Sequence, residues 1–306
     1  MSNRTVIVTG ANGGMGSQAV RQLAAAGWNV IGTTRGPGGS DPMGSIRMMQ
    51  LDLCSKQSIE AFAQQLKEEG IVVDALFNNA GVLAHGYYAN EEGYESTLCT
   101  NLIGPARLIE ALIPCFSPDA HIVNMVSLAC YTGFIKDDYF CHRDRRFHQI
   151  WRYSDSKLGF MLYSLELQEH LAVMGYPGIR VDVADPGIVN TNMIRLGKWF
   201  DPLTDVFFRP ICNSPLKGVT PALNALADAR PFGPVDGGST PITAAPLAFD
   251  GGYAPITSPD GDACHRSSFE EQTVRYFVGK GWKPVPKRYL NHPRRIWLWE
   301  ELMKRI

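Results

Sequence analysis

Thr5-Val6-Ile7-Val8-Thr9-Gly10-Ala11-Asn12-Gly13-Gly14-Met15-Gly16 is the stretch on which the fold turns. A short β-branched run enters a cluster of glycines. A helical pattern leaves it, with Ala19, Val20, Leu23 and Ala26 on one face and Gly27 as the stop. Strand, glycine turn and helix in that order form the setting of a dinucleotide fingerprint. Glycines let a pyrophosphate approach the backbone, and the helix N-terminus meets it with amides and the positive end of its dipole. The expected fold is α/β: a Rossmann-type doubly wound parallel sheet of about seven strands, flanked by helices, in a single domain over residues 1–306.

Working outward, apolar runs at residues 29–33, 47–51, 72–77, 121–126 and 179–183 read as further strands, with a last one near 247–249. Residues 55–69 read as an amphipathic helix with Ile59, Phe62, Ala63 and Leu66 on one face. Residues 95–113, a stretch beginning at Tyr153, and residues 216–229 read as further helices. A NAD site would place an acid at the end of the second strand, to hold the ribose hydroxyls. That place reads Thr33-Thr34-Arg35. It has no carboxylate to repel a 2′-phosphate and a guanidinium to bind one, which favours NADP(H) over NAD(H). Arg35 equally fits a solvated loop, since Gly- and Pro-rich residues 36–41 follow it.

Composition excludes several classes. The chain has 306 residues, 45% hydrophobic and 19% charged, with a net charge of −1. Nothing in that balance points to nucleic acid as a partner. Seven cysteines lie scattered, never in Cys-x-x-Cys spacing, so reduced thiols are expected and neither a disulfide frame nor a metal site. The N-terminus enters a strand without the apolar segment of a signal peptide. No run reaches the ~18 apolar residues of a spanning helix. A cytoplasmic protein is the expectation. The terminal residues 294–306 read as an amphipathic helix with a basic rim. Interfacial membrane helices share that pattern, but so do tails that pack on their own subunit or a neighbour; membrane contact is the lesser expectation.

Two Tyr-x-x-x-Lys pairs occur, Tyr153 with Lys157 and Tyr276 with Lys280. Four residues apart on a helix, a phenol and an ammonium share a face. The cation favours the phenolate, so the phenol's usual pKa of about 10 would fall toward working pH. Such a phenol can serve as a general acid or base. Spacing alone does not choose between the pairs.

The fourth strand runs into Asn78-Asn79-Ala80-Gly81. With the glycine stretch, this tetrad makes the chain resemble the short-chain dehydrogenases/reductases over residues 4–195. Gly10, Gly14 and Gly16 fit the spacing of the family's main branch, and Gly10, Gly13 and Gly16 that of its extended, epimerase-like branch; the tetrad is typical of the former. The resemblance implies an NADP(H)-dependent oxidoreductase that interconverts an alcohol and a carbonyl on a small, apolar molecule. It implies a cofactor loop of Gly10, Asn12, Gly14, Met15 and Gly16, with Thr34 and Arg35 next to it. It puts Asp52 and Leu53 at the adenine, and Asn79, Ala80 and Gly81 along the adenosine ribose. It makes Asn101, Ser127, Tyr153 and Lys157 the catalytic set, Tyr153 and Lys157 also touching cofactor. Pro186, Gly187, Val189 and Thr191 would hold the carboxamide. Ser127, at a strand's C-terminal end, faces the crevice where open α/β sheets bind ligands. Tyr153 follows it by one crossover, so Tyr153 and not Tyr276 is the expected catalytic phenol.

Several features narrow or resist this resemblance. Tyr153-Ser154-Asp155-Ser156-Lys157-Leu158 with Glu166-Leu167 is similar to the retinol-dehydrogenase-like branch, which also has a long gap between serine and tyrosine. The insert at residues 128–151 fits a solvated loop or a flap over the pocket. Leu158, Phe160, Met161, Leu162, Tyr163, Leu165, Leu167 and Leu171 form a stripe broader than one core-facing side needs, which suggests a homodimer or homotetramer packed through that helix. The expected division is residues 1–194 for cofactor and catalysis, 195–261 for substrate, and 262–306 as a helical tail. Reduction of a carbon–carbon or carbon–nitrogen double bond, and non-catalytic cofactor sensing, remain alternatives on the same frame.

Overall fold

The computed structural model describes residues 4–40, 46–141, 147–189, 213–228 and 274–306. One sheet organises them. Its strands are β1 (Thr5–Val8), β2 (Asn29–Thr34), β3 (Gly39–Ser40), β4 (Ile46–Gln50), β5 (Val73–Asn78), β6 (Phe116–Met125), β7 (Arg180–Asp185), β8 (Arg275–Val278) and β9 (Gly281–Pro284). Their order is β3-β4-β2-β1-β5-β6-β7-β8-β9. From β4 to β8 every pairing is parallel, which gives the expected seven parallel strands. Antiparallel β3 and β9 extend the two edges, which brings the whole sheet to nine strands. The place predicted for the last strand, 247–249, lies outside the described residues. The hairpin β8–β9 turns at Gly279, whose φ of +60° suits glycine.

Both faces of the sheet are covered, as a parallel sheet requires. Alternation along β1 sorts its side chains: Val6 and Val8 join one core, Ile7 the other. On the first face lie α1 (Gly14–Ala25) and α5 (Pro215–Ala227), with Ala19, Val20, Leu23, Val219 and Leu223 buried. On the second lie α2 (Lys56–Glu68), α3 and α4 (Gln149–Val173). Ser55 caps α2, its hydroxyl accepting from the Ser58 amide, which fixes the start at the predicted place. Helix α3 runs as Ser96–Leu98, a π-helical turn Cys99–Ile103, and Gly104–Leu112.

The chain's end corrects two expectations. Residues 275–278 and 281–284, within the stretch 262–306 read as a helical tail, are strands, so Tyr276 and Lys280 share no helix face. Two helices follow, α6 (Lys287–Leu290) and α7 (Arg295–Met303). The apolar side of α7 packs on its own subunit: Leu298 and Leu302 are fully buried. Trp299 stacks on Tyr163 at 5.6 Å and on His170 at 4.2 Å. Arg295 pairs with Glu166 and Glu169 of α4. The broad stripe on α4 is therefore filled from within the chain.

The insert after Ser127 is tied into the same assembly. Leu128–Thr132 is a 3-10 turn. Tyr139 and Phe140 are buried. The Tyr139 hydroxyl donates to the Asp155 carbonyl at 2.7 Å, and Arg152 donates to the Tyr139 carbonyl at 3.0 Å. Arg305 lies over the Phe140 ring at 4.5 Å, and Arg294 pairs with Asp137 at 2.6 Å. In its described part the insert anchors Tyr139 and Phe140 between α4 and the C-terminus, while Leu128, Tyr131, Phe134 and residues 136–138 stay exposed. Residues 142–146 lie outside the description.

If α7 seals this face, Trp299→Ala removes both stacks and leaves a cavity. It should destabilise the protein by about 3 kcal/mol, read as a lower midpoint in equilibrium urea unfolding. An unchanged midpoint would show that the stacking contributes nothing.

Candidate active site

All the sequence-predicted site residues within the described part gather at the carboxyl edge of the sheet, where adjacent strand ends leave a crevice. The glycine loop opens it. Gly10 has a φ of +65°, and a Cβ there would sit 3.1 Å from Ala80. A Cβ on Gly16 would fall 2.1 Å from the Gly10 carbonyl oxygen, so only glycine fits. Asn79 and Ala80 brace the loop from the end of β5: the Asn79 amide donates to the Thr9 carbonyl at 2.8 Å, and Ala80 N–H to the Thr9 hydroxyl at 3.0 Å. Asn12 donates to the Thr34 hydroxyl at 2.9 Å, which joins the loop to the end of β2. Arg35, one residue on, is exposed. Asp52 and Leu53 follow β4, with the Asp52 carboxylate accepting from Cys54 N–H at 2.8 Å. Met15 and Val189 meet under α5; a Cβ on Gly218 would lie 3.1 Å from the Met15 sulfur and 2.5 Å from a Val189 methyl.

A dinucleotide fits this arrangement. Gly13 precedes α1 without a side-chain cap and no acid stands in the first turn, so the leading amides and dipole are available to an anion. The buried Asn79 amide oxygen has no hydrogen-bond partner among the described residues. Pro186 and Gly187 form the turn after β7. Gly187 has a φ of +67°, and Asn213 donates to the Pro186 carbonyl at 3.3 Å. Thr191 lies outside the described residues.

The catalytic candidates sit beside this cradle. Ser127 stands just past β6, where its hydroxyl accepts from Ala129 N–H at 3.2 Å and acts on the Tyr153 phenol to lower its pKa. Tyr153 is partly buried and Lys157 almost wholly so, on the same face of α4. Lys157 Nζ lies 5.9 Å from the Tyr153 ring centre and donates to the Met125 carbonyl at 2.8 Å. Gly81 leaves the floor open: a Cβ there would be 3.4 Å from both Lys157 Nζ and Asn101 Oδ1. Asn101 occupies the π-helical turn of α3. Its amide donates to the Val82 carbonyl at 2.9 Å and to Ser156 Oγ at 3.0 Å, and its oxygen accepts from Val82 N–H at 2.8 Å. These partners satisfy the buried amide.

The electrostatics differ from the sequence expectation. Burial pushes the Tyr153 phenol up to about 12, against a lesser lowering by the Ser127 hydrogen bond. Burial also lowers Lys157 to about 8. Lys157 does not pull the phenol below its ordinary value here, because desolvation disfavours the charged form of each group and the ammonium is engaged by the Met125 carbonyl. At neutral pH the phenol keeps its proton, which suits it to donate one.

Some contributors were missed from sequence. Ser156 bonds both Asn101 and the Tyr153 carbonyl, the latter at 2.7 Å. Glu95 caps α3 and holds Arg152 at 3.1 Å, one residue before Tyr153. Asp185 ends β7 and accepts from Gly187 N–H at 2.8 Å. Glu95 carried a legible signal as an acid directly before a helical run; Ser156 and Asp185 depend on tertiary packing.

Comparison with known proteins agrees with the geometry. Residues 4–198 match the family model of short chain dehydrogenase. The chain is 33% identical over 204 residues to retinol dehydrogenase 13 of Homo sapiens, covering 63% of this chain and 61% of that protein. It is 31% identical over 215 residues to polyprenol dehydrogenase of Mus musculus, covering 64% of this chain and 63% of that protein. The matches thus span about three-fifths of the length of these relatives. Among solved structures, a short-chain dehydrogenase from Sphingobium yanoikuyae in complex with NADPH superposes with a TM-score of 0.53 at 22% identity, covering 73% of this chain and 84% of that one. A crystal structure of an uncharacterised protein from Mycobacterium Paratuberculosis superposes with a TM-score of 0.63 at 23% identity, covering 98% and 93%.

Proposed function

Because this chain belongs to the short-chain dehydrogenase family, in its retinol-dehydrogenase-like branch, we propose that it is an NADP(H)-dependent oxidoreductase. In this proposal it interconverts an alcohol and a ketone or aldehyde on an apolar small molecule. The observation that carries it is Tyr153 beside the buried Lys157 on α4, with Ser127 acting on the phenol from the end of β6, next to a glycine cradle suited to a dinucleotide. Bound there, the nicotinamide would supply or accept the hydride.

The chain's own residues divide the remaining work. Ser127 Oγ and Tyr153 Oη bind the carbonyl oxygen and stabilise charge developing on it. Tyr153 gives that oxygen its proton in reduction and takes it back in oxidation. Lys157 Nζ, positive at neutral pH, would hold the nicotinamide ribose beside the phenol. Asn101 anchors the Val82 backbone and Ser156 beneath the pair, and orders the proton path behind Lys157. A phenol raised to about 12 by burial carries its proton in the resting site.

Arg35 supports NADP(H) over NAD(H), being exposed just past β2 where no carboxylate stands. Relatives of this fold are solved with either cofactor, NAD+ in one from Leptospira borgpetersenii and NADPH in that from Sphingobium yanoikuyae, so fold alone does not choose. An apolar substrate is supported by exposed Leu128 directly after Ser127 and exposed Ile188 directly after Gly187. A cytoplasmic setting belongs to the same proposal and rests on free thiols at Cys54, Cys99, Cys115, Cys130 and Cys141. No helix among the described residues is long and apolar enough to cross a membrane. Self-association, proposed from the α4 stripe, would need another surface or displacement of α7.

Tyr153→Phe should lower kcat for reduction of apolar aldehydes and ketones at least a hundredfold while NADPH binding, followed by fluorescence, stays within about twofold. Full turnover in that variant would remove Tyr153 from the chemistry. Arg35→Ala should raise KM for NADPH about tenfold and leave KM for NADH unchanged, the loss of one charge-assisted contact to phosphate. Equal effects on both cofactors would leave Arg35 a loop residue.

A further inference from the structure

Tyr276 repeats the spacing that drew attention to Tyr153, yet it lies on β8 and takes no part in the site as built above. Its hydroxyl donates to Asp185 Oδ2 at 2.6 Å. The other carboxylate oxygen, Oδ1, accepts from Gly187 N–H at 2.8 Å. Asp185 is the last residue of β7 and is fully buried. Its carboxylate thus clasps strand β8 on one side and the Pro186–Gly187 turn on the other. Burying a carboxylate against two neutral donors costs free energy that an amide in the same place would not.

The strand register places this carboxylate near the proton-handling pair. Met125, whose carbonyl takes the Lys157 ammonium, pairs with Ala184 across β6 and β7. Asp185 is the next residue. Its negative charge raises the pKa of Lys157 and that of Tyr153, opposing for Lys157 the effect of burial. The other groups that face the pair among the described residues are neutral. Cys130, from the turn after β6, has its thiol pushed up to about 12 by burial and is uncharged at working pH. Ser127 and Asn101 contribute a hydroxyl and an amide. Around Asp185 itself, Tyr276 of β8 and Tyr289 of α6 are phenols driven up chiefly by burial, and the Arg288 guanidinium lies over the Tyr289 ring at 5.3 Å. Asp185 is the carboxylate whose charge reaches both Tyr153 and Lys157 from a neighbouring strand.

We propose that Asp185, clamped by Tyr276, is a positioning residue of the site: its fixed charge keeps the buried Lys157 protonated, and its hold on Gly187 N–H sets the turn beneath the nicotinamide. This rests on the cofactor assignment above but adds residues outside the Asn101, Ser127, Tyr153 and Lys157 set. It also accounts for Tyr276, whose single hydroxyl keeps the carboxylate oriented. The sign of the pH effect follows. Lys157 carries its charge below about 8 and loses it above. Removing the Asp185 charge withdraws a stabiliser of the cation, so the loss moves to lower pH.

The test measures NADPH affinity by fluorescence from about pH 6 to about pH 10 for the unsubstituted protein, Asp185→Asn and Tyr276→Phe. Affinity should fall as Lys157 deprotonates. Asp185→Asn should move the midpoint of that fall acid-ward by about half a pH unit or more. Tyr276→Phe should weaken NADPH about threefold or more at neutral pH and move the midpoint less. If Asp185→Asn does not fold, as judged by circular dichroism, Tyr276→Phe carries the test alone. Midpoints and affinities coincident with those of the unsubstituted protein would overturn the proposal. Failure of the unsubstituted protein to bind NADPH at any pH would instead overturn the cofactor assignment, and this proposal with it.

Discussion

A lysine ammonium held inside the protein at the end of a parallel sheet is the constraint around which this molecule is arranged. Lys157 is 3% exposed, and its donation to the Met125 carbonyl ties α4 to the tip of β6. A buried cation is tolerated only where polar groups converge on it. Here Gly81 leaves the room, Asn101 and Ser156 order the floor, and Asp185 supplies opposite charge from the next strand. The phenol of Tyr153 shares that enclosure, whose burial keeps its proton on at neutral pH. The same geometry explains the glycines: Gly10, Gly16 and Gly81 stand where a Cβ would collide with the neighbouring strand end or crowd the ammonium.

Much of this was legible in the chain itself. Local signals set the glycine turn, the capped start of α2 and the alternation of β1, and the structure follows them closely. The tetrad at residues 78–81 and the Tyr153–Lys157 spacing pointed to residues that the fold brings together, because each is a short segment whose arrangement depends on immediate neighbours. The pKa of Tyr153 was not legible. A helix-face rule sees the nearby cation, but the burial that outweighs it is set by β6, α3 and the turn after Ser127. Tyr276 illustrates the same limit, since its partner Asp185 is remote in sequence and adjacent only across the sheet.

The C-terminal helix shows how a correct pattern can have another cause. The apolar excess on α4 pointed to a second subunit, yet Leu298, Trp299 and Leu302 of α7 meet it. Sequence periodicity reports that a face is buried, not by which molecule. The insert after Ser127 acts with α7: Phe140 touches Trp297 at 6.4 Å, and Arg152 joins Glu95 to the Tyr139 carbonyl. The catalytic helix is therefore braced at its start by the insert and along its outer side by the chain's end.

In the proposed reaction this enclosure passes a proton to an oxygen while hydride goes to the carbon that bears it. Reduction of an apolar aldehyde or ketone with NADPH deuterated at the transferring position, followed by NMR of the product, tests it most directly. One deuterium should appear on the carbinol carbon. Deuterium on a carbon not bonded to oxygen, or an alcohol formed without label, would contradict it.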